Sequence, residues 1–233
     1  MKRILGGNPM FIIFLIFMLY NQFRMGRFND PGQWLLNMLM ILPAIIIGIT
    51  FHEAAHAWSA YKLGDQTPKV QGRVTLNPLK HIDPMGLIVL IFVGFGWGKP
   101  VQVNPYALKG NLRLSNLIVD VSGIITNFII AIACTPLLFI VQSQTLFTII
   151  LNIVSINIVL MLFNLLPVPP LDGFGILTEI FDLRRFSWYS KLSSYGMLIL
   201  MALVIFGVVG LILGPGVNAI LQFLVNLWSP VFM

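Results

Sequence analysis

The feature that most constrains this chain is a polar triplet set inside an apolar run. Residues 41–64, ILPAIIIGITFHEAAHAWSAYKLG, hold His52, Glu53 and His56 in the pattern H-E-x-x-H. On an α-helix, residues four apart share a face, so His52 and His56 offer two imidazole nitrogens to one metal ion. Glu53 sits beside the first of them, where its carboxylate can take a proton from a water at that metal. Two histidines and an adjacent acid at this spacing are the pattern of a zinc hydrolase. The pattern has few fixed positions and also arises by chance. A lipid setting changes that balance, because each ionisable residue deep in a spanning helix costs about 2.5–3.5 kcal/mol on insertion scales. Three of them within little more than one turn read as a functional site.

The setting is indeed lipid. Of 233 residues 58% are apolar and only 9% charged, against about 25% charged in soluble domains, so the chain is an integral membrane protein. Its net charge of +6 comes from 14 Lys+Arg against 8 Asp+Glu. These basic residues lie in loops, where they set topology, and the aromatics lie in apolar runs without basic interleaving. Nucleic acid is therefore excluded as a partner, and the lipid bilayer is implied. The single Cys134 excludes an internal disulfide. Lys2 and Arg3 precede an apolar run, but no small-x-small cleavage site follows it.

Apolar runs predict spans over 10–23, 34–62, 115–141, 146–166, 192–213 and 217–228, the first short for a crossing. Gly214-Pro215-Gly216 reads as the turn between the last two, and 174–188 as a surface helix. Between the second and third spans, residues 65–105 carry frequent turn residues, a β-leaning stretch around Val70–Leu76 and a glycine-rich apolar segment too short to cross. This stretch reads as a strand-containing, membrane-dipping element. The fold class is thus an all-α polytopic membrane protein of about six membrane segments, with a small β element after the H-E-x-x-H helix. Three regions follow: an N-terminal segment and loop at 1–33, a catalytic membrane core at 34–175, and a surface helix with a helical hairpin at 176–233.

Twelve of the fourteen Lys and Arg, including Lys2, Arg3 and those of 62–113 and 184–191, fall on one side if 10–23 crosses. The positive-inside rule makes that side cytoplasmic. His56 then lies six residues before Lys62, about 9 Å along the helix axis below the cytoplasmic end.

A catalytic zinc site needs a third protein ligand and an open position. His81 and several carboxylates are candidates, and Asp172 is the best placed of them. It follows a span on the same side, just after the prolines at 167, 169 and 170 that break the helix. From spacing alone Asp172 reads equally as a turn residue, since Asp-Gly is a common turn pair. His81 is read as structural, with Asp83-Pro84 supplying a local partner. Asp120 is read as a dipole or interface residue near a helix start. Asn152 and Asn157, within a span, are read as interhelical hydrogen-bonding residues.

With these residues in view, the chain resembles the site-2 protease family of intramembrane zinc metalloproteases. The resemblance rests on HEAAH at 52–56 and NLLPVPPLDG at 164–173, with GRVTLNPLKHIDPMG at 72–86, GWGKPVQVNP at 96–105 and GIITN at 123–127. It covers roughly residues 34–175 and is similar to the minimal form without PDZ or nucleotide-sensing CBS domains. The resemblance implies one Zn2+ per chain, held by His52, His56 and Asp172, with Glu53 as general base and proton donor. It implies substrate-positioning roles for Asn127, Asn164 and Pro167, although Ile124 stands where the family usually has proline. It further implies a single-span transmembrane substrate, cut in or near its membrane segment during regulated intramembrane proteolysis at the cell membrane. A rival class remains: a transporter or metal-handling protein using the same three ligands, which would have no need of a base at Glu53.

Overall fold

The computed structural model describes residues 9–93 and 96–232, so Lys2, Arg3 and the turn at Gly94-Phe95 lie outside the described residues. Eight helices of ten residues or more are described: α1 (Pro9–Arg24), α2 (Pro31–Lys62), α3 (Pro84–Val93), α4 (Leu112–Cys134), α5 (Gln144–Asn164), α6 (Asp172–Phe181), α7 (Tyr189–Ile205) and α8 (Val208–Phe232). Among the described residues four stretches are long and apolar enough to cross a membrane: α2, α4 with the turn after it to Ile140, α5 and α8. The expected crossings at 10–23 and 192–213 correspond to shorter helices, α1 of 16 residues and α7 of 17.

The centre is a three-helix cluster of α2, α4 and α5, with α6 laid on α4 and α8 on α5. α2 starts where Asp30 accepts the Gln33 amide at 2.9 Å and Pro31 supplies a first-turn φ. Its buried stripe, Ala44, Gly48, His52, His56 and Ala60, recurs every four residues. Small residues there let backbones approach, as membrane helices without a hydrophobic driving force require. At Gly48 a Cβ would stand 2.5 Å from the Leu160 side chain of α5. Below this contact Ala131, Val154, Ile158 and Leu224 knit α4, α5 and α8 into an apolar cluster.

Residues 65–105 depart from expectation. Among the described residues no strand forms, and the only pairing is an isolated antiparallel bridge between Ile82 and Gly98. The Val and Thr content favours strand, but four Asx side chains cap local turns instead. Asp65 accepts from Thr67, Asn77 from Leu79, Asp83 from Met85 and Asn104 from Tyr106, at 2.9–3.1 Å. Three of these turns contain a proline and the Asp65 turn is followed by Pro68, and proline has no N–H to give a ladder. The helical hairpin near the C-terminus also turns elsewhere. The break falls at Phe206–Gly207, where Gly207 takes φ +71°, and Pro215 lies inside α8. α6 is shorter than the expected surface helix and buries Phe174, Thr178 and Glu179 against its neighbours.

Candidate active site

Two of the site residues come from the buried stripe of α2. His52 Nε2 and His56 Nε2 stand 3.1 Å apart. Asp172, the first residue of α6, brings its Oδ2 to 3.2 Å from the one and 3.3 Å from the other. Gly173 allows this approach, because a Cβ there would run into the carbonyls of Leu165 and Leu166.

The far nitrogens of both imidazoles are tied down, and the ties fix the tautomers. His56 Nδ1 donates to the Val119 carbonyl at 2.8 Å, since a carbonyl only accepts. Asn127 directs its Nδ2 to the Gly48 carbonyl (3.1 Å) and to Asn157 Oδ1 (2.8 Å). Its Oδ1 therefore faces His52 Nδ1, which donates at 2.6 Å. Both Nε2 atoms are left with lone pairs aimed at a carboxylate oxygen. Three acceptors this close repel unless a cation lies among them. Asp172 Oδ2 is buried with no hydrogen-bond donor of its own. Gly123 of α4 leaves room beside them, since a Cβ would stand 2.5 Å from His56 Nε2 and 2.6 Å from His52 Cε1.

The donor set fits zinc. Ligand atoms bound tetrahedrally at about 2.0–2.1 Å lie about 3.3 Å from one another, which is the spacing found here. Two imidazoles and a carboxylate also leave a fourth position, as catalytic rather than structural zinc sites do. Hydrogen bonds to the far ring nitrogens are the usual support for such ligands.

A cavity of about 470 Å3 opens on this triad, walled by Glu53, Pro100, Val101, Asp120, Asn164 and Glu179 among others. Glu53 Oε2 accepts the Val101 amide at 2.9 Å. Arg73 is buried, 4% exposed, with a terminal nitrogen 3.8 Å from that same oxygen. Burial pulls the Arg73 guanidinium below its ordinary value, and Glu53 opposes the shift. On the far wall Glu179 pairs with Arg184, whose pKa this bond raises.

The other expected residues distribute as follows. Asn164 lines the cavity, with its Nδ2 bonded to Leu160 O at 2.9 Å. Asn127 is fully buried behind His52 and outside the cavity wall, and Pro167 is exposed and likewise outside it. Asp120 lies in the third turn of α4, not near its start, and lines the cavity against Gly175. His81 is fully buried and stands apart from the triad. Its partner is the Thr75 carbonyl at 2.7 Å, not Asp83, whose carboxylate caps α3. Asn152 reaches the Met40 carbonyl of α2 at 3.2 Å. Arg73 and the Val101 amide were not visible as site groups in the sequence, since a backbone N–H has no letter. A basic residue in the Gly-Arg-Val-Thr stretch of an otherwise sparsely charged chain was the one available signal.

Comparison with known proteins now bears on the triad. A family profile, "Peptidase family M50", matches residues 141–207, the part carrying Asp172. A Bacillus subtilis protein named "Putative zinc metalloprotease YwhC" is 36% identical over 218 residues, covering 89% of this chain and 98% of that protein. The chain belongs to peptidase family M50. A Mycolicibacterium smegmatis protein named "Putative zinc metalloprotease Rip2" is 27% identical over 181 residues, 75% of this chain and 70% of that one. A Mycobacterium tuberculosis protein of the same name is 29% identical over 161 residues, 65% and 61% of the two chains. No solved structure matches. As an M50 peptidase the chain is a zinc-dependent hydrolase of peptide bonds, in a membrane protein with four helices of crossing length among the described residues. The transport alternative yields to this membership.

Proposed function

We propose that this M50 peptidase is an intramembrane endopeptidase that cuts membrane proteins in or near their transmembrane segments, as a step of regulated proteolysis. His52, His56 and Asp172 are the residues assigned to hold one Zn2+, and Glu53 is the general base. The observation that carries this reading is the triad of atoms at 3.1–3.3 Å, built on a helix of crossing length and opening on a cavity that Glu53 shares.

Zinc, when bound, supplies the Lewis acidity that acidifies water and polarises a carbonyl. The chain's residues do the rest. Val119 and Asn127 keep the imidazoles in the tautomer that ligation needs. The Val101 amide holds Glu53 Oε2, which leaves Oε1 to take the proton of the attacking water. Glu53 then delivers that proton to the amine released when the peptide C–N bond breaks. Asn164 lines the cavity with its Nδ2 spent on the Leu160 carbonyl, which leaves its Oδ1 as the atom to accept an amide of an extended substrate backbone. An extended backbone is required, because a helical substrate has its amides bonded internally. The core at 34–175 is the catalytic unit in this reading. The apolar runs carry the six-segment topology of this reading, and the loop charges orient it with the site on the cytoplasmic side of the cell membrane.

The test is Glu53→Gln against wild type, each co-expressed with a panel of tagged single-span membrane proteins. Uncut target should accumulate only with the variant, which should still purify with one zinc per chain. Cleavage undiminished in Glu53→Gln would remove the base from the assignment.

A further inference from the structure

Beneath Glu53 lies a polar cluster that the catalytic assignment does not use. Arg73 donates from Nη1 to the Pro100 carbonyl at 3.2 Å and from Nη2 to the Lys99 carbonyl. The Lys99 amide in turn donates to the His81 carbonyl at 2.7 Å. His81 is itself fixed by its bond to Thr75 at 2.7 Å. The extended segment 98–101 is therefore held on both of its hydrogen-bonding sides. It carries the amide that reaches Glu53, Val101 N–H, and Gly98 lies near the other oxygen, where a Cβ would be 3.7 Å from Oε1.

We propose that Arg73 is a positioning residue for the general base. Its two-pronged hold on the Lys99 and Pro100 carbonyls sets the height of segment 98–101, and the Val101 amide then fixes the Glu53 carboxylate. The inference rests on Glu53 being the base. A guanidinium suits the task because its planar fork spans two neighbouring carbonyls, which the single ammonium of lysine does not do. The nearby Glu53 oxygen, at 3.8 Å, is too far for a hydrogen bond. Arg73 thus acts through the backbone and not by gripping the carboxylate.

The experiment uses the full chain in detergent with a fluorogenic peptide carrying the cut sequence of a target found with Glu53→Gln. Arg73→Lys should lower kcat about tenfold, the scale of one hydrogen bond to a charged group, with KM within about twofold and zinc stoichiometric. Val101→Pro removes the amide itself and should have a similar effect. The double variant should fall within about threefold of Val101→Pro alone, because both changes break one chain of contacts. Amide exchange in Arg73→Lys should rise at Gly98, Lys99 and Val101 while α2 stays protected, a readout that stands even if Val101→Pro does not assemble. Wild-type kcat in Arg73→Lys, losses that multiply to about a hundredfold, unchanged exchange at 98–101, or Arg73→Lys protein without zinc would each overturn the proposal. If Glu53→Gln itself cleaves, the base assignment falls instead, and that result is read before any Arg73 variant.

Discussion

Gly123→Ala tests the metal centre without replacing a ligand. The added Cβ would stand 2.5 Å from His56 Nε2, 2.6 Å from His52 Cε1 and 2.7 Å from His52 Nδ1. Ordinary contact between such atoms is about 3.5 Å, so one or both rings must move by about 1 Å. Neither ring is free to do so. His52 is held by Asn127 at 2.6 Å and His56 by Val119 at 2.8 Å. Ligand distances tolerate only about 0.2 Å of error. Zinc affinity should therefore fall by about a hundredfold, the upper end of what lost ligand orientation costs, or about 2.7 kcal/mol. Alanine is the better helix former by about 1 kcal/mol, so weak binding could not be blamed on a melted α4. The assay is bound metal per chain in detergent, read across buffers of fixed free zinc. A dissociation constant within threefold of wild type would mean that the pocket beside Gly123 is not where the ion sits.

Two further outcomes follow from neighbouring contacts. Asn127→Ala removes the acceptor for His52 Nδ1 and should weaken zinc binding about 10- to 100-fold, read in the same buffers; a purely substrate-positioning role would instead leave zinc unchanged and raise KM. His81 titrates below its ordinary value, chiefly through burial with Arg73 adding to it and the Thr75 bond and Glu53 opposing. A base whose folded pKa is depressed stabilises the fold above the unfolded value of about 6.5 and loses that contribution as pH falls below it. Melting temperature should therefore drop on acidification below that point in wild type and less steeply in His81→Gln; parallel curves would contradict the buried neutral imidazole.

How far the sequence discloses the molecule depends on where each contact's information is stored. His52, Glu53 and His56 were legible because a four-residue spacing on one helix places two rings together without knowledge of the rest of the chain. The long apolar runs disclosed α2, α4 and α5 for the same local reason. Asp172 was ambiguous from spacing, since its approach to the rings depends on how α6 lies on α4, and the family resemblance was needed to prefer it. The region 65–105 misled, because Val and Thr favour strand while Asp65, Asn77, Asp83 and Asn104 each close a turn that holds or precedes a proline. Tertiary and capping contacts outrank weak β propensity. For Asn127 the resemblance implies a place at the substrate; the structure adds a contact no spacing discloses, its Nδ2 on Gly48 and Asn157 and its oxygen on His52. The deepest omission has one cause. The ligands and the base are side chains whose chemistry names them, whereas what orients them is largely backbone: the Val119 carbonyl under His56, the Gly48 carbonyl behind Asn127, the Val101 amide on Glu53. Every residue owns a backbone carbonyl and all but proline an amide, so no letter marks them. Only the fold decides which of them face the metal centre.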